Sequence, residues 1–84
     1  MATVLFTLEA QEQADELPRP IRVRLYRLVD RLKAWPNVSG VKALGGALKD
    51  FYRIRTGDYR MQFRVAGDVV SIMKVGHRDG FYED

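Results

Sequence analysis

Apolar positions along this chain follow a helical period in the first half and a period of two in the second. Thr3 to Phe6 has strand composition, and Thr7 then reads as a helix N-cap, because its hydroxyl can accept a bond from a free first-turn amide. Glu9 and Glu12 follow where the helix dipole favours negative charge. Ala10, Ala14 and Leu17 recur at helical spacing, giving a short first helix that stops at Pro18. Pro20 can open a second helix, since its missing amide hydrogen is not needed in the first turn. From Ile21 the apolar residues fall at Leu25, Leu28, Val29 and Leu32, one stripe of a helix that ends by Trp35-Pro36. Arg24, Arg27 and Arg31 line the same helix at spacings of three and four, the usual wet face of an amphipathic helix.

Asn37 to Gly46 shows little periodicity and reads as a loop. Beyond it, Phe51–Arg55, Asp58–Val65 and Val69–Val75 read as three strands. In a strand successive side chains alternate faces, so Tyr52 and Ile54 point one way and Arg53 and Arg55 the other. Tyr59, Met61, Phe63 and Val65 are set in the same manner against Arg60, Gln62 and Arg64. Thr56-Gly57 is the expected turn, pairing Arg55 with Asp58, Ile54 with Tyr59 and Arg53 with Arg60. Like charges opposite one another weaken a ladder, so such a pair asks for a reason. Gly67-Asp68 supplies the second turn, and the last strand, apolar on both faces, belongs inside the sheet with the first strand as its other neighbour. The expected fold is therefore α+β, a two-layer β-α-α-β-β-β arrangement. Its helical hairpin packs on the Tyr52/Ile54/Tyr59/Met61/Phe63 face and leaves the arginine face open.

The 84 residues suit one domain spanning 1–84, with a modest core that must be stabilised by packing, since there is no cysteine for a disulfide or thiolate metal site. One histidine and scattered carboxylates offer no metal-ligand spacing, so neither metal nor cofactor is expected. The apolar run after Met1 lacks a basic n-region and is too short to span a bilayer, so a cytoplasmic protein without a membrane partner is expected. Net charge is +3, and Lys49 to Arg78 holds seven Lys or Arg against three Asp. That local excess points to a polyanion or an acidic protein as partner.

The chain closes with Lys74-Val75-Gly76-His77-Arg78 and, farther on, Tyr82. A glycine at the strand end can redirect the chain, bringing Arg78 and Tyr82 toward Arg53, Arg55 and Arg60. Guanidinium forks gathered beside a phenol suit phosphodiester recognition, and aromatic rings among them suit stacking on unpaired bases.

The segment Phe51-Tyr52-Arg53-Ile54-Arg55-Thr56-Gly57-Asp58-Tyr59-Arg60, followed by Lys74-Val75-Gly76-His77-Arg78 and Tyr82, resembles the RelE/ParE superfamily of bacterial toxin–antitoxin toxins. The likeness spans essentially the whole chain and is greatest to the RelE branch, whose members are ribosome-dependent endoribonucleases that cut mRNA in the decoding site. It implies an antiparallel four-stranded sheet in the order 1-4-3-2, a RelB-like antitoxin as partner, and the ribosome with its mRNA as target. Carried over position by position, it also implies a catalytic set of Arg55, Arg60, Arg78 and Tyr82, with Arg53 in substrate binding and His77 at a neighbouring family position; Lys49, Arg64 and Lys74 are further candidates for substrate contact on their charge alone. Where RelE carries lysines in its second strand, this chain has Arg53 and Arg55. Arginine keeps its proton at physiological pH, so neither can be a general base, although both can stabilise a phosphate gaining negative charge. Proton transfer would fall to Tyr82, to His77, whose side-chain type changes charge near neutrality, or to the ribosome. The same scaffold also hosts ParE-like toxins that inhibit DNA gyrase without cutting nucleic acid, and the arginine replacements keep that alternative open. A third alternative is an RNA-binding module without chemistry.

Overall fold

A computed structural model describes residues 1–79. The chain runs β1 (Thr3–Phe6), α1 (Leu8–Asp15), α2 (Arg19–Leu32), β2 (Lys42–Gly45), β3 (Leu48–Thr56), β4 (Tyr59–Ala66) and β5 (Val69–His77). Thr7 caps α1 through its hydroxyl, which accepts from the Ala10 amide at 3.1 Å. Pro18 is the N-cap of α2 and Pro20 lies in its first turn. The α+β class and the packing of both helices on one sheet face agree with the periodicity.

The strands form one sheet in the order β1-β5-β4-β3-β2. The expected order 1-4-3-2 holds for the four strands it covered, but two of its features need correction. First, a fifth strand, β2, joins the edge of β3 in the region expected to be loop. Its four residues, Lys-Ala-Leu-Gly, have no two-residue hydrophobic alternation, and three of them are exposed. Its pairing with β3, not its composition, makes it a strand. Second, the sheet is mixed, because β1 runs parallel to β5 with Val4 beside Val70 and Phe6 beside Ile72. Parallel neighbours need a crossover connection, and the helical hairpin begins the return that brings the later strands alongside β1.

The first expected turn also shifts. Thr56 pairs with Tyr59, Arg55 with Arg60 and Ile54 with Met61, so the loop is Gly57-Asp58 rather than Thr56-Gly57. Gly57 has φ +58° while Asp58 stays out of the left-handed region, the φ pattern of a type II′ turn with glycine in its first central position. Gly67-Asp68 repeats the device between Ala66 and Val69. Relative to the expected pairing the strands slip by two residues, which preserves the faces but changes the partners: Arg53 lies opposite Gln62, and Arg55 opposite Arg60.

The core lies between helices and sheet. Leu25 and Leu32 of α2 and Ala10 and Ala14 of α1 are fully buried against Met61, Phe63, Val70 and Ile72. Trp35 follows α2 and closes one end, meeting Tyr52 edge-on at 4.8 Å and Phe63 at 5.5 Å between ring centres. At the β4–β5 pair Met73 is an extra residue, a bulge between Lys74 opposite Gln62 and Ile72 opposite Phe63. Beside it the Val75 amide donates to Gln13 Oε1 of α1 at 2.7 Å, so a helix side chain fastens the irregular stretch of strand.

Loss of that acceptor should be measurable. Gln13→Ala is expected to cost about 1–3 kcal/mol, the penalty for stranding a partly buried donor, whereas Gln11→Ala, whose bond to Asp15 is exposed, should fall within ~0.5 kcal/mol of the parent. Urea unfolding of the two variants checks this, and equal midpoints would refute a structural role for Gln13.

Candidate nucleic-acid interface

Because Tyr52, Ile54, Met61 and Phe63 face the helices, their strand neighbours must face the other way. The resulting open face is a grid of cross-strand rows. Nearest the β3–β4 turn, Arg55, Arg60 and Gly76 lie side by side. The next row holds Lys42, Arg53, Gln62 and Lys74. The third holds Phe51, Arg64, Ser71 and Leu5. Strands in a sheet lie about 4.8 Å apart and rows two residues apart about 6.6 Å, so six cations occupy three rows of backbone that contain no carboxylate. These rows lie on an open sheet face.

Arg78 joins the turn end of the grid. Its backbone amide donates to the Asp58 carbonyl at 2.7 Å, extending the β4–β5 ladder beyond Tyr59 and His77. Its Nε lies 3.8 Å from carboxylate oxygens of both Asp58 and Asp79, with more than half of each side chain exposed. Ion pairs of that exposure are worth about 0–1 kcal/mol, so a phosphate can compete for the guanidinium at little cost. Arg60 is half-buried with its Nε within the face, while Arg55 and Arg64 are exposed. A half-buried guanidinium is held in place, and an exposed one is free to move toward a ligand.

The other candidates fall elsewhere. His77 pairs with Tyr59 and so shares the helix side of the sheet; its ring meets Tyr59 edge-on at 5.2 Å, and its Nδ1 accepts from the Asp79 amide at 3.1 Å. Lys49 is exposed and precedes Asp50, whose φ of +70° interrupts the regular alternation of β3. Tyr82 lies outside the described residues. On α2 the arginine stripe divides: Arg31 donates to the Ser39 carbonyl at 2.6 Å, and Arg24 reaches the β3–β4 turn, 3.5 Å from where a Cβ on Gly57 would sit. Two members of the grid escaped sequence reasoning. Lys42 gave no signal, because it lies on a strand without alternation, while Phe51 follows from counting one residue back from Tyr52.

No group of three or more His, Cys, Asp or Glu that could hold a metal occurs among the described residues. No helix among them is long and apolar enough to cross a membrane.

Comparison with known proteins gives this grid a family. The toxin RelE3 of Methanocaldococcus jannaschii is 28% identical over 83 residues, which cover 95% of this chain and 94% of that protein. A chain of the RelB–RelE antitoxin–toxin complex from Methanococcus jannaschii superposes with a TM-score of 0.80 at 26% identity, over 94% of this chain and 95% of that one. The isolated Escherichia coli RelE toxin shares the fold, with a TM-score of 0.77 at 22% identity over 92% of this chain and 84% of that one. The family model described as the ParE toxin of type II toxin-antitoxin system, parDE, matches residues 4–80, from β1 through both helices and every strand of the basic face. The chain therefore belongs to the ParE toxin family of type II toxin–antitoxin systems, within the RelE/ParE superfamily and near its RelE branch.

Proposed function

We propose that this toxin is a ribosome-dependent mRNA endonuclease that arrests translation in the cytoplasm, and that a RelB-like antitoxin neutralises it. The observation that carries the reading is the turn end of the basic grid, where Arg55 lies opposite Arg60 and Arg78 is anchored beside them through Asp58. Guanidinium groups set side by side on neighbouring strands offer several planar donors to the oxygens of one phosphodiester. In the reaction the ribose O2′ loses its proton and attacks the adjacent phosphorus. The bond from phosphorus to O5′ then breaks, and that oxygen takes up a proton. Charge on the non-bridging oxygens rises on the way to the transition state, and fixed guanidinium groups stabilise it most there. Arg53, Arg64 and Lys74 extend the grip to neighbouring phosphates, and Tyr82 and the ribosome remain for proton transfer. Since the arginines keep their protons, cleavage of free RNA should be slow.

The proposal of an antitoxin draws on the basic face, which a segment rich in carboxylates would cover, and on the relative from Methanococcus jannaschii, whose structure is an antitoxin–toxin complex. A second reading, inhibition of DNA gyrase, is favoured by the ParE description of the matching family and by the arginines at both lysine positions.

Programmed ribosomes incubated with the protein should show new mRNA ends at the decoding codon. Arg60→Ala should slow their appearance about 10²–10³-fold, the usual effect of removing one donor to a developing anion. Intact mRNA at saturating protein sinks the reading. In parallel, gyrase should supercoil plasmid at its normal rate with the protein present; a halted enzyme would instead favour the second reading. Growth arrest on expression should be reversed when the neighbouring small gene is co-expressed, and continued arrest despite abundant partner would count against the antitoxin.

A further inference from the structure

One side chain in the rows of the basic face is aromatic. Phe51 pairs with Arg64, and Arg53 follows two residues along the same face of β3. Every other aromatic residue among those described has a ring partner: Phe6 meets Tyr26, Trp35 meets Tyr52 and Phe63, and Tyr59 meets His77. Phe51 has none, and it is absent from the apolar cluster that includes its neighbours Tyr52 and Ile54. The ring is half-buried.

The backbone next to it is unusual. Asp50 adopts φ +70°, the only non-glycine residue with a positive φ among those described, where the register between β2 and β3 shifts. A left-handed residue in this position costs about 1–2 kcal/mol, and it ends the regular ladder immediately before Phe51, leaving the ring at the limit of the regular grid. An apolar ring fixed on rigid strand between Arg53 and Arg64 contributes nothing to the core. What its setting suits is a flat, neutral group carried on a polyanion.

We propose that Phe51 is a stacking platform for an unpaired nucleobase of an RNA strand whose phosphates are held by Arg53 and Arg64. This rests on the reading of the basic face as an RNA site. Stacking of a base on an aromatic side chain is worth about 1–3 kcal/mol and is tolerant of base identity, so Phe51 sets where the strand lies and the guanidinium groups hold it there. The arrangement places the stacked nucleotide about 6.6 Å along β3 from Arg53 and about twice that from Arg55, on the side of the grid away from the turn.

The test uses the full chain and a short single-stranded RNA carrying 2-aminopurine, whose fluorescence falls when it stacks, alongside the same strand with an abasic site. With the parent, fluorescence is expected to fall on binding, and the abasic strand should bind about tenfold more weakly. Phe51→Leu should abolish the quench and bring both strands to the same weak affinity, while Phe51→Trp keeps the quench. The slope of affinity against salt should be unchanged by Phe51→Leu and shallower by about one in Arg53→Ala, which removes a phosphate contact. Since Phe51 lies outside the core, Phe51→Leu should melt with the parent. If Phe51→Leu binds and quenches as the parent does, the proposal is overturned, and that outcome would equally follow if the ring served only to seat a protein partner. The ribosome assay separates the two readings. A quench that depends on Phe51, without mRNA cleavage, would keep the platform and remove the nuclease; cleavage together with an indifferent Phe51→Leu titration would do the reverse.

Discussion

The structure depends on the antiparallel register of β3 against β4. A type II′ turn at Gly57-Asp58 sets Ile54 beside Met61 and Tyr52 beside Phe63, and that apolar face is what α2 covers. Alternation leaves no choice for the residues between them. Arg53, Arg55, Arg60 and Arg64 are forced onto the other face as a consequence of burying their neighbours. A slip of one residue would exchange the two sets entirely, placing guanidinium groups in the core, so the hydrophobic term protects the arrangement against that error.

The same coupling explains how the sheet tolerates facing arginines. Opposed like charges cost a cross-strand pair of the order of 0.2–1 kcal/mol, whereas full burial of a side chain the size of Ile, Met or Phe contributes about 1.5–3 kcal/mol. Ile54, Met61 and Phe63 are each essentially inaccessible to solvent, so the core outweighs the repulsion on the reverse side of the same strands. What remains is a basic surface carried on regular strands. The pair of strands that buries the core also positions these cations, which need no loop to hold them.

Smaller contacts set the boundaries of this surface. Arg24 and Arg31 look alike on a helical wheel, yet one lies against the Gly57 turn and the other is tied to the carbonyl of Ser39. Gln13, an unremarkable polar residue in sequence, holds the bulged strand β5 to α1 through a single acceptor. His77 and Arg78 are consecutive, but the first lies on the helix side with Tyr59 and the second is joined to Asp58 at the turn. Chain neighbours in a strand serve opposite faces, so closeness in sequence is a poor guide to membership of this site.

The sequence by itself determined the elements whose cause is local. Thr7 as a cap, Pro18 and Pro20 at the helix joint, the leucine stripe of α2, the Gly67-Asp68 turn and the sorting of arginines from apolar residues all rest on interactions within a few residues, and a linear pattern records those. The Gly57-Asp58 turn was within reach as well, since the same dipeptide joins the next hairpin; placing the turn one residue early displaced Arg53 from its partner while leaving it on the correct face. Tertiary structure alone decided the rest. Lys42 entered the grid because β2 borrows its strand geometry from β3, the parallel run of β1 beside β5 came from the path of the chain over the sheet, and the solitary position of Phe51 emerged only once every other ring among the described residues had found a partner. These outcomes depend on which distant segments meet, a choice governed by the total apolar surface they bury together and not by the preference of any one segment.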